Sequence, residues 1–405
     1  MPEPKLNAQF EPFTSETTSN SNAESRMLNV SDIPLALYIH IPWCVKKCPY
    51  CDFNSHELPE HSSISMYDDY VDALLADAKL QQPLAQNRTL VSIFIGGGTP
   101  SLLPIPQYQR LFEGLRQCFK FADNIEITME ANPGTLEHAP FTEYLKVGIN
   151  RLSIGVQSFA TEKLEGLGRI HDPKQAVNAI KAAREAGFTR VNVDLMHGLP
   201  QQSLIEALHD IQLAHDTGAT HISWYQLTIE PNTVFYRNQP ILPDEDKLAD
   251  IEQAGQALLQ SLGYNNYEVS AWVGRLDKPC RHNVNYWQFG DYLAIGAGAH
   301  GKVSIDVDRF DNVNATNDSS ILPLLDSDSS LMQNLEENSR IYRFSKSRLP
   351  KDYVDYQGLK DINFKGEMAP KMIGWQPIAN DELVSEFMLK ALRCIDGIGM
   401  ASIHL

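Results

Sequence analysis

Short apolar runs alternate with longer amphipathic stretches along the middle of the chain. The apolar runs predict strands at residues 35–41, 91–95, 125–130, 151–157, 190–194 and 220–226. Apolar positions at helical spacing predict helices at residues 65–81, 107–119, 173–186, 204–215 and 246–262. The six strands, with helices recognised after five of them, are interpreted as six βα units in a row, which predicts a parallel sheet with helices outside it.

Polar or glycine-rich segments stand where the predicted strands end. The first strand runs into a cysteine-containing loop, and the others end at residues 96–98, Glu130, Gln157, Asp194 and Gln226. In βα barrels, functional groups gather at the carboxyl ends of the strands. A partial (β/α)6 barrel of the TIM type is therefore favoured over a doubly wound sheet.

The pattern divides the chain into three parts. Residues 1–33 are polar, with Ser, Thr and Asn runs, and are predicted to be a disordered tail. The barrel is predicted at residues 34–265, and a smaller α+β region at 266–405. In the latter, a strand is expected at residues 268–273, and the segment rich in Asp, Ser and Asn at about 306–338 is expected to be an inserted loop.

Composition and net charge limit which binding partners and which cellular compartment are expected for this chain. The chain has 405 residues and a formal net charge of −17, so its surface repels phosphate backbones and nucleic acid is not expected as a partner. The start has no apolar signal-peptide core, and no stretch of eighteen apolar residues occurs. Six cysteines in 405 residues are too few for a disulfide framework. These features predict a cytoplasmic protein.

Three cysteines lie close together with the spacing C-x3-C-x2-C, namely Cys44, Cys48 and Cys51. Three thiolates from one loop suit three irons of a [4Fe–4S] cluster and leave the fourth iron open. A zinc site completed by His56 or His40 is the main alternative, although zinc commonly pairs C-x2-C with a second such pair. Spacing alone favours the cluster without excluding zinc.

The segment from Tyr38 to Phe53, which contains these cysteines, resembles the radical-SAM signature of the coproporphyrinogen oxidase group. The resemblance runs from about residue 35 to residue 301. It implies that Cys44, Cys48 and Cys51 hold a [4Fe–4S] cluster, and that S-adenosylmethionine (SAM) binds the open iron.

The same resemblance implies the residues that bind SAM. Residues 96–100 resemble the family's G-G-G-T-P motif, and other positions align at or near the strand ends. The implied SAM residues are Tyr38, Tyr50, Gly97, Gly98, Thr99, Glu130, Gln157, Arg169 and Asp194.

Two branches of the group resemble this chain, the oxygen-independent coproporphyrinogen III oxidases and the HemW-type haem chaperones. Phe53 stands where the oxidases have a fourth cysteine, and residues 1–33 do not resemble their structured N-terminal segment. Residues 282–287 match the motif H-N-x-x-Y-W of the chaperone branch. The chaperone is therefore the expected function and the oxidase is the alternative, so whether the chain is an enzyme stays open.

The chaperone resemblance implies His282 as the haem ligand, with Cys280 a weaker candidate. The implied partners are haem and haem-accepting proteins of unknown identity, and a homodimer and a peripheral membrane contact are compatible with it. Compared with the family, the end of the chain is expected to be shortened.

Overall fold

The computed structural model describes residues 30–59, 63–135, 140–305, 341–355 and 374–397. Most of the tail predicted at residues 1–33, the insertion predicted at 306–338 and the last residues of the expected shortened end lie outside the described residues.

The strands are numbered in chain order. They are β1 (Leu35–Ile41), β2 (Trp43–Cys44), β3 (His56–Glu57), β4 (Thr89–Gly97), β5 (Lys120–Ala131), β6 (Arg151–Gln157), β7 (Val191–His197), β8 (His221–Gln226), β9 (Tyr264–Glu268), β10 (Ala271–Gly274), β11 (Asp291–Ile295), β12 (His300–Ser304), β13 (Ile341–Ser345) and β14 (Gly374–Pro377).

The helices are α1 (Ile64–Gln81), α2 (Ile105–Cys118), α3 (Phe141–Lys146), α4 (Thr161–Gly166), α5 (Pro173–Glu185), α6 (Leu204–Asp216), α7 (Val234–Arg237), α8 (Glu245–Ser261), α9 (Arg281–Trp287), α10 (Pro350–Asp355) and α11 (Asn380–Ala391). Short 3-10 helices lie at Val30–Asp32, Gln82–Ala85, Pro100–Leu102 and Pro133–Thr135.

Six parallel strands form the centre of one large sheet, in the order β1-β4-β5-β6-β7-β8. Because neighbours in the sheet are also successive in the chain, helices connect them along one face, as in a βα barrel. The strands β1, β6 and β7 are buried along almost their whole length, as expected for parallel strands covered on both faces. The predicted partial barrel is confirmed.

The sheet continues on both sides of the six parallel strands. Strand β11 pairs in parallel with β1, and β12, β13 and β14 follow it with antiparallel pairing. At the other side, β10 and β9 pair antiparallel with β8 and with each other. The strands before and after residue 265 thus belong to one sheet, and the domain boundary at that residue stays a prediction.

The strand predicted at residues 268–273 was wrong. The chain forms a hairpin there, with β9 ending at Glu268 and β10 beginning at Ala271. Between them, Val269 is exposed and its amide donates to the carbonyl of Arg393. The apolar residues Ala271, Trp272 and Val273 therefore belong to β10 alone, and Val269 lies in the turn before it.

Two helices of the barrel begin with a capping box. Asp172 accepts a hydrogen bond from the amide of Gln175, and the amide of Asp172 donates one to Oε1 of Gln175. Ser203 and Glu206 form the same reciprocal arrangement at the start of α6. Such capping boxes satisfy amides that have no partner within the helix and fix where α5 and α6 begin.

A buried carboxylate on α1 ties the barrel to the later strands. Asp77 accepts hydrogen bonds from Lys346 Nζ at 2.6 Å, Tyr353 Oη at 2.8 Å and Gln81 Nε2 at 2.8 Å. The hydroxyl of Tyr353 also accepts from the amide of Gly296, at the end of β11. These contacts hold the loops after β11 and β13 against the start of the barrel.

Candidate functional site

Two adjoining cavities open at the carboxyl ends of the parallel strands. The first has a volume of about 500 Å³ and contains the three clustered cysteines in its wall. The second has a volume of about 580 Å³ and lies towards β12 and β13. Phe53, Gly97 and Glu130 line both cavities. We call them the cysteine cavity and the second cavity.

The cysteine loop lies between β1 and α1 and is held by other strand-end segments. The amide of Phe235 donates to the carbonyl of Pro49, and the ring of Phe235 lies 6.3 Å from that of Tyr50. A Cβ atom on Gly168 would lie only 2.7 Å from Pro49 Cδ. The loop therefore packs so closely on Gly168 that this position favours glycine, which is also in the left-handed conformation with φ +66°.

Each cysteine sulfur lies beside its own polar partner. Thr99 Oγ1 donates to Cys44 Sγ at 3.6 Å, and Arg169 Nη1 donates to Cys48 Sγ at 3.6 Å. The hydroxyl of Ser55 lies 3.7 Å from Cys51 Sγ. Hydrogen bonds to the sulfurs stabilise thiolates and tune iron–sulfur clusters. The residues present therefore fit a cluster held by Cys44, Cys48 and Cys51.

The two histidines that a zinc site would need already have partners. His40 Nε2 donates to the carbonyl of Asn54, so its Nδ1 accepts a hydrogen bond from the hydroxyl of Tyr38. His56 Nε2 donates to the carbonyl of Arg348. Within the described ranges, no three His, Cys, Asp or Glu side chains are grouped closely enough to hold one metal ion. These contacts give no support to the zinc alternative.

The glycine loop after β4 lies directly on the cysteine loop. The amide of Gly98 donates to the carbonyl of Ile41, and that of Thr99 donates to the carbonyl of Trp43. A Cβ atom on Gly98 would lie 2.5 Å from the carbonyl oxygen of Trp43, and one on Gly97 would lie 2.5 Å from the His40 ring. Only glycine lets these two segments approach so closely.

Two carboxyl groups face the cysteine cavity, Glu130 at the end of β5 and Asp194 in β7. Glu130 Oε2 accepts from the amide of Gly97 at 3.2 Å. Burial, together with the charge of Asp194, raises the pKa of Glu130 to about 8. Asp194 accepts from Asn192 at 2.7 Å and from Ser153 at 3.1 Å. Neither carboxyl group forms an ion pair within the part of the chain that the structure describes, so both can attract a cationic ligand when they are ionised.

Gln157, Arg169 and Tyr50 complete the set in the cysteine cavity. Gln157 has φ +71°, a strained backbone for a residue other than glycine, and its side chain accepts from the hydroxyl of Tyr225 at 2.9 Å. Arg169 donates to the carbonyl of Gly155 and to Cys48. The structure thus places eight of the nine predicted SAM residues in the cysteine cavity.

Tyr38 is the exception and lines the second cavity, where it meets His282. The two rings are 6.1 Å apart, and the ring of His282 is stacked on Phe94 at 4.5 Å. The Nδ1 atom of His282 has no hydrogen-bond partner among the described residues. Burial lowers the pKa of His282 to about 4, so its imidazole is neutral at pH 7. A neutral imidazole is the form that ligates iron.

Cys280, the weaker haem candidate, points away from both cavities. Its side chain is 1% exposed and its thiol lies 3.5 Å from Glu126 Oε1. Burial raises the pKa of Cys280 to about 12, so the thiolate that would bind iron is disfavoured.

The helix α9 separates the two cavities and presents a different face to each. His282 and Tyr286, four residues apart, line the second cavity. Asn283 and Trp287, also four residues apart, line the cysteine cavity. Side chains at i and i+4 share one face of a helix. The H-N-x-x-Y-W spacing therefore supplies one pair of side chains to each cavity.

Two cations from α11 and the turn after it lie over the aromatic rings of α9. Lys390 Nζ is 3.9 Å from the centre of the Tyr286 ring, and Arg393 Cζ is 4.3 Å from that of Trp287. The cation–π contact of Arg393 contributes about 0.5–2 kcal/mol. Burial lowers the pKa of Lys390 to about 7, so its contact contributes less at neutral pH. The chain end thereby holds α9 in place from the side opposite the barrel.

The comparison with known proteins decides the family. The model of the radical SAM superfamily matches residues 38–214. A protein of Escherichia coli (strain K12) named "Heme chaperone HemW" is 56% identical over 274 residues, which are 67% of this chain and 71% of the relative. This chain belongs to the HemW family. A HemW of Bacillus subtilis (strain 168) is 36% identical over 276 residues, covering 66% of this chain and 70% of the relative.

A solved structure supports the fold. The coproporphyrinogen III oxidase HemN of Escherichia coli aligns with a TM-score of 0.67 over 90% of this chain and 76% of the oxidase. The sequence identity is 23%, so this likeness concerns the fold and not the reaction. As a HemW-family protein with a radical SAM domain, the chain is built for a [4Fe–4S] cluster and SAM.

Several residues around the HemW site were missing from the sequence-based set. Asn283 and Trp287 line the cysteine cavity together with Ser223 and Tyr225. The spacing within residues 282–287 was the signal for the first two, because in a helix each of them lies about 100° around the axis from the residue before it, His282 or Tyr286. Tyr225 stands one residue before Gln226, the predicted strand end, and Tyr225 lines the cavity instead.

We expect the affinity of the cluster-loaded protein for SAM to rise with pH through about 8. The raised pKa keeps Glu130 protonated below that value, and the ionised carboxylate is the form that attracts a cation. Below pH 8, up to about tenfold in affinity is lost for each pH unit. Calorimetric titration with SAM from pH 6 to pH 9 measures the slope.

The Glu130→Gln variant is the control for that titration, because the amino group of SAM itself titrates in the same range. The slope that remains in the variant belongs to SAM. Equal slopes in the variant and the parent protein would contradict the role given to Glu130.

Proposed function

We propose that this chain is a haem chaperone that binds haem in the second cavity and passes it to haem-requiring proteins. His282 is the iron ligand in this proposal. The cysteine cavity holds the [4Fe–4S] cluster on Cys44, Cys48 and Cys51, with SAM bound by the residues around it. When bound, the cluster supplies redox chemistry and an open iron for SAM.

One observation carries the proposal, namely that His282 lines the cavity beside the cysteine cavity and that its buried Nδ1 has no hydrogen-bond partner among the described residues. The aromatic side chains of Tyr286 and Tyr292 line the same cavity and suit the flat face of a porphyrin. The names of the relatives, heme chaperones, agree with this chemistry.

The oxidase alternative would place a porphyrinogen in the second cavity and oxidise its propionates. Phe53, which stands at the fourth cysteine position of the oxidases, is 60% exposed at the boundary of the two cavities. An apolar ring there gives no further thiolate, which favours the chaperone.

The cellular location and the oligomeric state are part of the same proposal. Of the helices in the described ranges, none has the length and apolarity needed to cross a bilayer. We propose a cytoplasmic protein that meets its haem acceptors there or at a membrane surface, and that forms a homodimer.

The test is an anaerobic assay of the cluster-loaded protein. With coproporphyrinogen III, SAM and a reductant we expect no protoporphyrinogen, and with haem we expect saturable binding seen in the Soret absorbance. Protoporphyrinogen as a product would replace the chaperone with the oxidase. Absence of saturable haem binding by intact protein would refute the chaperone.

The His282→Ala variant is expected to lose the axial ligand and shift the Soret band of bound haem. We expect affinity to fall by about tenfold or more, because a metal–ligand bond is lost while the aromatic walls remain. His209→Ala is the matched control, since His209 is exposed on α6 and lines neither cavity. A spectrum of the His282→Ala complex that equals that of the parent would remove His282 from the site.

A further inference from the structure

The rim of the second cavity carries basic side chains on the side formed by β12 and the segment after β13. These are His300, Lys346 and Arg348. The ammonium group of Lys346 is buried in its ion pair with Asp77 and is not available to a ligand. His300 and Arg348 are exposed at the mouth.

The backbone of Arg348 is fixed with respect to the cysteine loop. Its carbonyl accepts hydrogen bonds from Asn54 Nδ2 at 2.8 Å and from His56 Nε2 at 3.2 Å. Asn54 also donates to the carbonyl of Ala297 at 3.0 Å. Three segments therefore meet at this residue, and the base of its side chain stays at the mouth of the cavity.

The guanidinium group of Arg348 has no carboxylate partner among the residues that the structure describes. It lies close enough to His300 to lower the pKa of that residue, in addition to the larger effect of burial. Two acidic residues line the same cavity, Asp52 and Glu130. Burial keeps Glu130 protonated at pH 7, so Asp52 is the acidic charge that Arg348 and His300 face across the cavity.

We propose that Arg348, assisted by His300, is a binding site for the carboxylate groups of the ligand in the second cavity. The proposal rests on the proposed function, in which that ligand is haem, and assigns the propionates to this rim. A planar guanidinium binds a carboxylate through two parallel hydrogen bonds, which gives orientation as well as affinity. The ligand then enters with its apolar body against the wall that contains Tyr286 and Tyr292, and leaves its propionates at the solvent.

The test compares two probes on the full chain with its cluster loaded. The probes are iron protoporphyrin IX and its dimethyl ester, which has the same ring and iron but no carboxylates, titrated under identical detergent conditions. We expect the free acid to bind about tenfold more tightly than the ester, because one charge-assisted bidentate contact is worth about 1.4 kcal/mol or more. Arg348→Leu is expected to remove that preference, and Arg348→Lys to keep part of it.

Arg275→Leu is the matched control, because Arg275 is equally exposed but lines neither cavity. Cluster absorbance of each variant reports that the fold is intact. The carboxylate site is overturned if the parent protein binds the acid and the ester equally. It is also overturned if Arg348→Leu still prefers the acid. The haem function stands in both cases. If neither probe binds to the intact parent protein, the proposed function itself fails.

Discussion

The Cys48→Ser variant is expected to lose the broad visible absorbance of the iron–sulfur cluster and its acid-labile sulfide. Cys48 is one of three sulfurs in the wall of the cysteine cavity, and a serine hydroxyl is a poor ligand for iron at neutral pH. We expect bound iron to fall from about four per chain to a small fraction of that value, because a cubane normally takes one thiolate per iron. Binding of SAM should fall with it.

Cys118→Ser is the control for this loss. Cys118 is the last residue of α2, is only partly buried and lines neither cavity. The measurement is iron and sulfide analysis after anaerobic reconstitution, together with the absorbance spectrum. A full complement of iron and sulfide in Cys48→Ser would remove this cysteine from the ligand set.

The contacts of Arg169 bear on how a loss of the cluster in Cys48→Ser is interpreted. Its guanidinium donates to Cys48 Sγ and to the carbonyl of Gly155, so it bridges the cysteine loop and β6. In Cys48→Ser the arginine stays, and the rest of the wall is unchanged. A loss of cluster in that variant therefore reports the missing sulfur and not a collapse of the cavity.

The Asp77→Ala variant is expected to lower the free energy of unfolding by about 3–5 kcal/mol. Asp77 is 1% exposed and accepts from Lys346, Tyr353 and Gln81. Its removal leaves the Lys346 ammonium buried without a partner, and burial already lowers the pKa of that lysine. Denaturant unfolding followed by circular dichroism measures the change.

Two further variants distinguish two causes of the lower free energy of unfolding: the unpaired charge that stays buried, and the loss of the Asp77 side chain itself. Asp72→Ala, on the same helix α1, removes a partly exposed pair with Arg110 and should cost no more than about 1 kcal/mol. The double variant Asp77→Ala with Lys346→Met should recover much of the stability, because no charge is then left buried. A double variant as unstable as Asp77→Ala alone would show that the unpaired ammonium is not the cause.

The barrel could be predicted from the sequence because its signals are local. The apolar run at residues 151–157 and the capping residues Asp172 and Ser203 each fix an element within a few positions. Polar residues at the strand ends then indicated where a site would form. The strand ends were sufficient to predict that Gly97 and Glu130 lie close together, because parallel strands bring their carboxyl ends to one edge of the sheet.

The second cavity was hidden from the sequence because its walls come from distant parts of the chain. Tyr38 and His282 are brought together only when β11 pairs with β1 and α9 packs beside β4. Nothing in the local pattern around Arg348 indicates that its carbonyl meets Asn54 and His56. Pairings of this kind depend on the order of strands in the sheet, which periodicity does not encode.

The two-sided helix α9 limits how this protein can change during evolution. One residue inserted between Asn283 and Tyr286 would turn the following side chains by about 100° around the helix axis. Tyr286 and Trp287 would then leave their cavities together and lose Lys390 and Arg393. A substitution at Val284, which is only partly buried and lines neither cavity, leaves the spacing intact. We therefore expect insertions and deletions to be rejected here even where single substitutions are tolerated.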